Sequence, residues 1–576
     1  MTADVLAVKP PQRQLLSQDF DFKTWDDLKP YFEQLQSQEI SDPDALKAWF
    51  KNRSELESYL SENFAWRYIH MTCDTANETA QEAYQHFVTA IQPHIAPFDD
   101  AFNKKAVENP DINKLTDKGF ATTIRGMKRA IELFREENIP LQVQVQQLSS
   151  QYQATIGAMT VEINGVTKTL QQAAALLESP DRGVRESTYF KIQQRRIQEK
   201  EKLDNLFNQM LALRHQMALN AGFANYRDYM FAAMGRFDYT PWDCMNFHQA
   251  VAKTIRPVLD EMAVERKKVL TVNELRPWDK AVDPQNRPAL KPFTTGDELL
   301  SKTIVCLNRL NPFLGECLSV MKNLDRLDLE SRIGKAPGGY NYPLEETGFP
   351  FIFMNAAGQL RDVVTLLHEG GHAVHSILTK DLMINSFRQF PSEVAELASM
   401  SMELLTMDHW DVFLENPDDL KRAKIKHLED ILETLPWVAT VDKFQHWIYE
   451  NPTHTVEERH AAWLKIYEQF TDSITDWTSL EDYKGWLWHK QLHIFELPFY
   501  YIEYGIAQLG AIGVWKNYKE NPQKGLESYL NALKLGYTVP IGEIYEAAGI
   551  SFDFSEAHIA TLVAFVKSEI ENLKLN

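Results

Sequence analysis

Residues 368 to 372 read His-Glu-Gly-Gly-His, a spacing that suits a metal site. On a helix, His368 and His372 project from the same face four residues apart, so that both imidazoles can bind one metal ion. Glu369 lies beside them, where it can act as a general base toward the attacking water without being a ligand. The pentapeptide therefore predicts a zinc hydrolase, and the predicted substrate is a peptide bond.

The residues before this motif predict the helix that the spacing requires. Apolar side chains recur through residues 360–367, as in a mostly buried helix. Gly370 and Gly371 would each cost such a helix about 1 kcal/mol relative to alanine. A purely packing role gains nothing from that cost, so the glycines indicate a place where metal, water and substrate approach closely. The alternative is an ordinary helix whose histidines lie in the core or on the surface.

A second helix, predicted after Pro391, can supply the third protein ligand that a catalytic zinc site needs. Glu396, Ser399 and Glu403 fall on one face of it, and Glu393 lies one turn earlier. Carboxylates on the inward side of an apolar helix are costly unless a cation holds them. Spacing alone leaves Glu393 and Glu396 as alternative third ligands.

The two segments together resemble the thimet oligopeptidase and oligoendopeptidase F family of zinc metallopeptidases. The resemblance rests on His-Glu-Gly-Gly-His-Ala-Val-His-Ser from residue 368 and on Pro-Ser-Glu-Val-Ala-Glu-Leu-Ala-Ser-Met-Ser-Met-Glu, which ends at residue 403. The family pattern of a ligand glutamate, a serine three residues later and a glutamate four beyond that matches this stretch in register. The resemblance implies one Zn²⁺ per chain, bound by His368, His372 and Glu396. It also implies that Glu403 orients a histidine.

A third part of the resemblance lies in residues 493–505, His-Ile-Phe-Glu-Leu-Pro-Phe-Tyr-Tyr-Ile-Glu-Tyr-Gly. The family carries a histidine and then two tyrosines three residues apart in this region. His493, Tyr501 and Tyr504 match, with one residue fewer between the histidine and the pair. The resemblance implies that they donate hydrogen bonds to the oxyanion that forms during peptide hydrolysis. Tyr500 is the alternative for the tyrosine that faces the zinc, and an aromatic core cluster is the alternative for the whole group.

The run at 349–354 is short, aromatic and apolar and is bounded by glycine and proline, which predicts a strand. The resemblance implies an edge strand beside the zinc-binding helix, where an extended peptide substrate pairs through its backbone. We place this run at that edge. The alternative is a buried strand that ends in a plain turn.

Composition excludes several classes of protein. The chain has 576 residues, 44% of them hydrophobic, and a net charge of −20, which argues against a nucleic-acid partner. No apolar run is long enough to span a bilayer, and the N-terminus lacks the pattern of a signal peptide. The four cysteines are scattered without Cys-x-x-Cys, so we expect neither disulfides nor a cysteine metal site. A cytoplasmic protein without a membrane partner fits these features.

Helical periodicity dominates the chain and predicts a mainly α fold. We predict an N-terminal helical subdomain at 1–190 and a zinc metallopeptidase body at 191–576. Within the first, Asn164-Gly165 between β-rich arms predicts a β-hairpin over 152–170. The resemblance implies a large helical body that encloses a deep substrate channel, with a small β-sheet or hairpin beside the zinc helix. Such a channel restricts substrates to short unstructured peptides.

These features predict a zinc oligoendopeptidase that cleaves internal bonds of short peptides. A peptidyl-dipeptidase or carboxypeptidase would share the metal ligands but needs a cation for the terminal carboxylate of the substrate, for which Arg388 is the candidate. A non-catalytic peptide-binding protein is the remaining alternative, and the intact ligands and base argue against it. The sequence does not fix the side-chain preference or the oligomeric state.

Overall fold

A computed structural model of the chain describes residues 5–332, 334–336 and 338–575 and divides them into two compact units. The first unit is built from three segments, Met1–Glu132, Lys291–Lys424 and Ala507–Phe552. The second is built from Leu133–Leu290, Ile425–Ile506 and Asp553–Asn576. Each unit therefore draws on three separate stretches of the sequence. The division predicted near residue 190 stays a prediction.

Helices dominate both units, and the predicted mainly α fold is confirmed. Those of the first unit are Trp25–Ser37, Pro43–Cys73, Glu78–His86, Gln92–Glu108, Gly296–Leu310, Pro312–Asn323, Leu360–Thr379, Asn385–Arg388, Ser392–Leu405, Pro522–Leu533 and Ile541–Ala547. Those of the second are Asn138–Gly157, Leu170–Ala174, Arg182–Ile197, Lys200–Asn220, Tyr226–Ala233, Pro241–Thr254, Arg256–Val269, Val456–Phe470, Glu481–Gly485, Leu492–Glu496 and Glu556–Leu575. Three helices contain a point where the chain passes from one unit to the other: Phe120–Leu133, Pro417–Glu450 and Tyr501–Glu520.

Short helical segments of other types join some of these helices. A π-helical turn spans Phe87–Ile91, and 3₁₀ turns span Ile112–Lys114, Ala175–Glu178, Pro277–Asp279, Met407–Val412 and Leu487–Lys490. Among the residues that the structure describes, no helix is both long enough and apolar enough to cross a membrane.

The predicted hairpin is present in the second unit but is shorter than expected. Strands β1 (Thr160–Ile163) and β2 (Val166–Thr169) pair antiparallel around Asn164 and Gly165. Both turn residues have positive φ, 54° and 76°, as a tight primed turn requires. Residues 152–157 end the preceding helix instead of forming a strand arm, because Tyr152 packs as a buried helical residue.

A three-stranded sheet lies in the first unit, in the order β3-β5-β4. Strand β5 (Phe351–Ala356) pairs parallel with β3 (Leu327–Glu330) and antiparallel with β4 (Tyr340–Tyr342). The predicted strand at 349–354 therefore exists, but its placement at the edge of the sheet was wrong. Its first four residues are buried, and a strand apolar on both faces belongs in the middle of a sheet. The two edge strands are β3 and β4.

The core of the first unit joins residues that are far apart in the sequence. Ala65 and Ile69, from the helix Pro43–Cys73, pack against Leu344, Phe351 and Phe353 around the sheet. A larger cluster of the N-terminal helices also takes in two residues from beyond the sheet, Ile384 and Phe387. The N-terminal helices thus support the strands that flank the His-Glu-Gly-Gly-His motif.

Candidate active site

The histidine helix, Leu360–Thr379, places the motif on a rigid and well-capped element. Asp362 caps its start, since the carboxylate accepts hydrogen bonds from the backbone N–H groups of Ala357 (2.8 Å) and Gln359 (2.9 Å). Its apolar face is buried, whereas the side chains of His368 and His372 keep 21% and 18% exposure. Both imidazoles can therefore be reached by a metal ion and a substrate.

The carboxylate helix, Ser392–Leu405, lies against the histidine helix with nearly all of its residues buried. Two buried tyrosines fix its backbone: the hydroxyl of Tyr529 donates to the carbonyl of Ala398 (2.7 Å), and that of Tyr545 donates to the carbonyl of Glu393 (3.2 Å). Nothing in the sequence pattern pointed to either tyrosine, because they lie well over a hundred residues downstream.

Gly371 explains how the two helices approach so closely. A Cβ atom at Gly371 would lie 2.6 Å from the Cα of Ser399 and 2.7 Å from the carbonyl oxygen of Ala398, closer than real Cβ atoms come. At Gly370 the nearest atom would be Leu318 Cδ1 at 3.7 Å, an ordinary contact. The sequence interpretation that a packing role gains nothing from these glycines is thus wrong for Gly371.

The structure brings the three predicted ligands together. Glu396 Oε2 lies 3.3 Å from His368 Nε2 and 3.7 Å from His372 Nε2, and the three ligand atoms lie within 4.8 Å of one another. Ser399 Oγ donates to the same carboxylate oxygen at 3.0 Å. Glu403 Oε1 lies 2.7 Å from His368 Nδ1, the contact that the resemblance implies.

This donor set fits a zinc ion by geometry and by charge. Ligand atoms about 2.0–2.1 Å from a tetrahedral zinc lie about 3.3–3.4 Å apart, close to the separations observed. Glu403 occupies Nδ1 of His368, which leaves Nε2 directed toward the ligand cluster. Two nearly buried glutamates face this cluster, and a dication would balance their charge.

The same surroundings shift the pKa of each ligand. Burial alone would raise the pKa of Glu396, but its hydrogen bond to His368 and the charges of both histidines outweigh burial and lower that pKa to about 2. Burial would lower the pKa of His368, yet its bonds to Glu396 and Glu403 raise it well above the ordinary value. For His372 burial prevails and lowers the pKa to about 4. Glu396 is therefore ionised, as a metal ligand must be.

Glu369, the predicted base, is a buried carboxyl with a different electrostatic environment. Burial raises its pKa to about 7, aided by the charges of Glu396 and Glu403 against that of His368. Its backbone carbonyl accepts a hydrogen bond from Asn341 Nδ2 at 3.2 Å. Asn341 lies in β4, so this bond ties the edge strand to the histidine helix. Sequence reasoning missed Asn341, and the only available signal was a polar residue between two tyrosines.

Two neighbours of the ligands that the sequence left open have packing positions. His375 is fully buried and stacks on Phe390, with ring centroids 3.5 Å apart, and burial lowers its pKa well below the ordinary value. It is therefore a neutral core residue. Glu393 is also buried, and it is not one of the residues whose ligand atoms converge with those of the two histidines in the described part of the chain.

The predicted oxyanion donors form their own cluster in the second unit. His493 Nε2 lies 3.4 Å from the hydroxyl of Tyr504, and the ring of Tyr501 is 4.9 Å from the imidazole. Tyr500 stacks on His493 at 5.8 Å, so all three tyrosines surround the histidine. Gln491 Nε2 lies 2.9 Å from His493 Nδ1 and fixes the orientation of the ring.

Comparison with known proteins agrees with these features. The sequence model of peptidase family M3 matches residues 175–563, and that of the peptidase M3 N-terminal domain matches residues 18–134. An oligoendopeptidase F homolog of Borreliella burgdorferi is 24% identical over 450 residues, covering 74% of this chain and 72% of the relative. A plasmid-borne oligoendopeptidase F of Lactococcus lactis subsp. cremoris is 22% identical, covering 69% of this chain and 66% of the relative.

Solved structures of similar proteins share the fold. PZ peptidase A with an inhibitor superimposes with a TM-score of 0.89 at 26% identity, covering 96% of this chain and 99% of that one. A structure described as a putative oligoendopeptidase F gives the same TM-score at 25% identity, covering 96% and 98%. The family match spans well over half of the sequence and includes the histidine and carboxylate helices. The chain therefore belongs to peptidase family M3 and is a metallopeptidase.

Proposed function

We propose that this chain is a zinc-dependent oligoendopeptidase that hydrolyses internal bonds of short unstructured peptides. The observation that carries the proposal is the convergence of His368, His372 and Glu396, whose ligand atoms lie within 4.8 Å of one another. Three protein ligands with an open fourth position are typical of catalytic zinc. When bound there, Zn²⁺ would polarise the attacking water and the scissile carbonyl.

The surrounding residues hold the ligands in their working state. Ser399 donates to Glu396 and keeps its carboxylate turned toward the imidazoles. Glu403 accepts the Nδ1 proton of His368, which selects the tautomer whose Nε2 lone pair points to the metal. Ser399, Glu396 and Glu403 are all buried, so their neighbours restrict these side chains. We therefore infer that the ligands are already oriented before substrate binds.

Glu369 would carry the proton of the reaction. It accepts a proton from the attacking water and passes it to the amine that leaves when the peptide bond breaks. Burial raises its pKa to about 7, and a nearby dication would lower that pKa again, which favours the ionised carboxylate that a general base needs.

Tyr501, Tyr504 and His493 would donate hydrogen bonds to the oxyanion that forms when water adds to the carbonyl. The motif order supports this role, as does the contact of His493 with the tyrosines. A neutral phenol keeps its proton at the working pH and can donate throughout the reaction.

The edge strand β4 would recognise the peptide backbone. It pairs with β5 on one side, and its Asn341 contacts the backbone of the catalytic Glu369. A substrate that adds to the other edge of β4 would be held by main-chain hydrogen bonds, which depend little on side chains. The relatives are named oligoendopeptidase F, a name that denotes cleavage within short peptides.

The structure weakens the exopeptidase alternative. Arg388, the candidate cation for a terminal carboxylate, donates instead to the carbonyl of Glu345 (2.9 Å) and to the hydroxyl of Ser58 (3.1 Å). Burial lowers its pKa, a sign of a desolvated structural arginine. We therefore favour endopeptidase action, and we propose a cytoplasmic location because the four cysteines are scattered along the sequence without Cys-x-x-Cys.

Glu369→Gln tests the mechanism. The variant should retain zinc but lose activity by roughly 100- to 10,000-fold, the usual contribution of a general base. We would measure zinc content by elemental analysis and follow internal cleavage of a quenched fluorescent peptide blocked at both ends. The matched control is Glu393→Gln on the carboxylate helix, which should keep its zinc.

Activity of Glu369→Gln within tenfold of wild type would remove Glu369 from the role of base. Wild type that fails to cleave blocked peptides but cleaves the same peptides with free termini would replace the endopeptidase proposal by the exopeptidase one.

A further inference from the structure

A second group of metal-ligating side chains lies in the second unit. Cys244, on the helix Pro241–Thr254, meets Asp442 and His446, both on the helix Pro417–Glu450. Their ligand atoms lie within 4.8 Å of one another, and all three residues are buried. The peptidase mechanism uses none of them.

We propose that Cys244, Asp442 and His446 bind a second divalent cation of the zinc type, with a structural role. His248, one helical turn after Cys244, acts as a positioning residue, because its Nε2 lies 2.8 Å from Asp442 Oδ2. This bond holds the carboxylate in the way that a histidine and a carboxylate pair around other metal ligands.

One imidazole–carboxylate distance in this cluster equals one in the candidate active site. His446 Nε2 lies 3.3 Å from Asp442 Oδ2, the same separation as between His368 Nε2 and Glu396 Oε2. Asp442 and His446 are four residues apart on one helix, as His368 and His372 are. Two neighbouring turns therefore present an imidazole and a carboxylate to one point, and the thiol reaches it from the other helix.

Buried polar atoms without partners support a ligand at this point. Asp442 Oδ1 and His446 Nδ1 have no hydrogen-bond partner among the described residues, and the two residues are 0% and 2% exposed. A buried polar atom that nothing satisfies destabilises the folded chain. The rings of Phe231 and Phe499 flank His446, at 5.9 Å and 5.3 Å. A coordinated cation would satisfy nitrogen and oxygen together.

Charge and ligand type indicate the cation. A thiolate and a carboxylate carry two negative charges, so a bound dication makes the buried group neutral. A thiolate with an imidazole favours zinc over calcium or magnesium, which prefer oxygen ligands alone. In the described part of the chain the ion-pair partners of Asp442 are His248 and His446, so neither lysine nor arginine balances it.

The site would also support the segment that carries the candidate oxyanion donors. Gln445, next to His446, accepts a hydrogen bond from the backbone N–H of Phe499 at 3.2 Å. Phe499 has a φ of 67°, and Tyr500 and Tyr501 follow it directly. A cation on His446 would therefore fix the helix against which this strained turn is built.

Cobalt titration of the full-length, metal-free protein tests the proposal. Co²⁺ bound to a thiolate gives an intense near-ultraviolet charge-transfer band, which Co²⁺ bound only by nitrogen and oxygen lacks. The candidate active site contains no cysteine, so the band reports the second site alone. We expect wild type to bind two Co²⁺ per chain, one of them with this band. His372→Ala should lose the Co²⁺ of the candidate active site and keep the charge-transfer band.

Cys244→Ser should lose the band and one equivalent, whereas Cys317→Ser, at another fully buried cysteine, should keep both. Wild type that binds a single equivalent without the band would overturn the proposal and make the cluster a metal-free polar network. So would a band that persists in Cys244→Ser. If Cys244→Ser does not fold, the wild-type spectrum still decides, and Asp442→Asn provides the second variant.

Discussion

At the scale of single residues, three buried glutamates of one site have three different environments. Glu396 lies between two imidazoles and a serine hydroxyl, which lower its pKa to about 2. The carboxyl of Glu369 has no such hydrogen bond from the residues that the structure describes, and burial raises its pKa to about 7. Glu403 faces the far nitrogen of His368. Environment alone thus separates a permanently ionised ligand from a group that can exchange a proton.

Glu403→Gln should lower zinc affinity without changing the ligands. The amide oxygen can still accept the Nδ1 proton of His368, but without a charge it makes the imidazole a weaker donor to the metal. We expect affinity to fall by roughly 10- to 100-fold. At saturating zinc, kcat should stay near the wild-type value. Competition against a chromophoric chelator measures the affinity.

The control for this variant is Glu393→Gln, a neutralised glutamate on the same helix that lies outside the ligand cluster. Its zinc affinity should equal that of wild type. Equal losses in the two variants would show that total charge on the helix, and not the bond to His368, sets the affinity.

Spacing along a helix predicted His368 and His372 as a pair and left Glu393 and Glu396 as alternative third ligands. The choice of Glu396, and the pairing of Glu403 with a histidine, came from the family resemblance. Asn341 and Tyr529 could not be found in this way, because each touches the site from another element. Contacts of that kind depend on tertiary packing, which periodicity does not encode.

At the scale of elements, the two glycines of the motif should respond differently to alanine. Gly371→Ala places a methyl group against the backbone of the carboxylate helix at Ser399, so the two helices must separate. Gly370→Ala meets only an ordinary contact and gains helix propensity of about 1 kcal/mol. We expect Gly371→Ala to lower the free energy of unfolding by about 1–3 kcal/mol, as overpacking does, and to weaken zinc binding.

Thermal unfolding and zinc titration of both variants measure these effects. Gly370→Ala should be as stable as wild type or more stable, and it should bind zinc normally. If the two variants behave alike, close helix packing is not the reason for glycine at position 371.

The sheet shows why the edge strand was misplaced from the sequence. The apolar run at 351–354 is the strongest strand signal in this region, and it became the central strand because both of its faces are buried. Strand β4, Tyr340–Tyr342, has only three residues and too little pattern to be predicted. The order of strands within a sheet depends on contacts between distant segments. The sequence therefore predicted the strand correctly but not its position in the sheet.

Substrates with single N-methylated peptide bonds would test the role of β4. A strand at a sheet edge bonds through alternate residues, so methylation should impair cleavage strongly at every second position and weakly between them. The measurement is kcat/KM for a series of blocked peptides that differ only in the methylated bond. If the loss of kcat/KM declines smoothly with the distance of the methylated bond from the scissile bond and does not alternate, recognition by strand addition is excluded.

At the scale of the whole molecule, the chain is interleaved. It leaves one compact unit for the other five times, and each unit uses three segments. Some contacts within the first unit join residues that are far apart in the sequence. Glu62 accepts hydrogen bonds from the backbone of Glu346 and Thr347, 284 and 285 residues away. Composition and periodicity predicted helices throughout but not this arrangement, because no local signal marks which distant helices will pack together.

Interleaving predicts that neither half of the chain folds alone. Residues 291–576 contain all the proposed zinc ligands and the tyrosines, but they lack the helix Pro43–Cys73, whose Ala65 and Ile69 pack on the sheet beside the histidine helix. Each large buried side chain that is lost costs about 2–5 kcal/mol. The sum over several of them exceeds a typical free energy of unfolding of about 5–15 kcal/mol. Expressed alone, this fragment should show no cooperative unfolding and no tight zinc binding. Co-expressed with residues 1–290, it should regain both.

Intact protein cut once after residue 290 is the control, since it has the same break but no missing residues. A lone fragment that unfolds cooperatively and binds zinc as wild type does would show that the N-terminal helices are not needed to build the site.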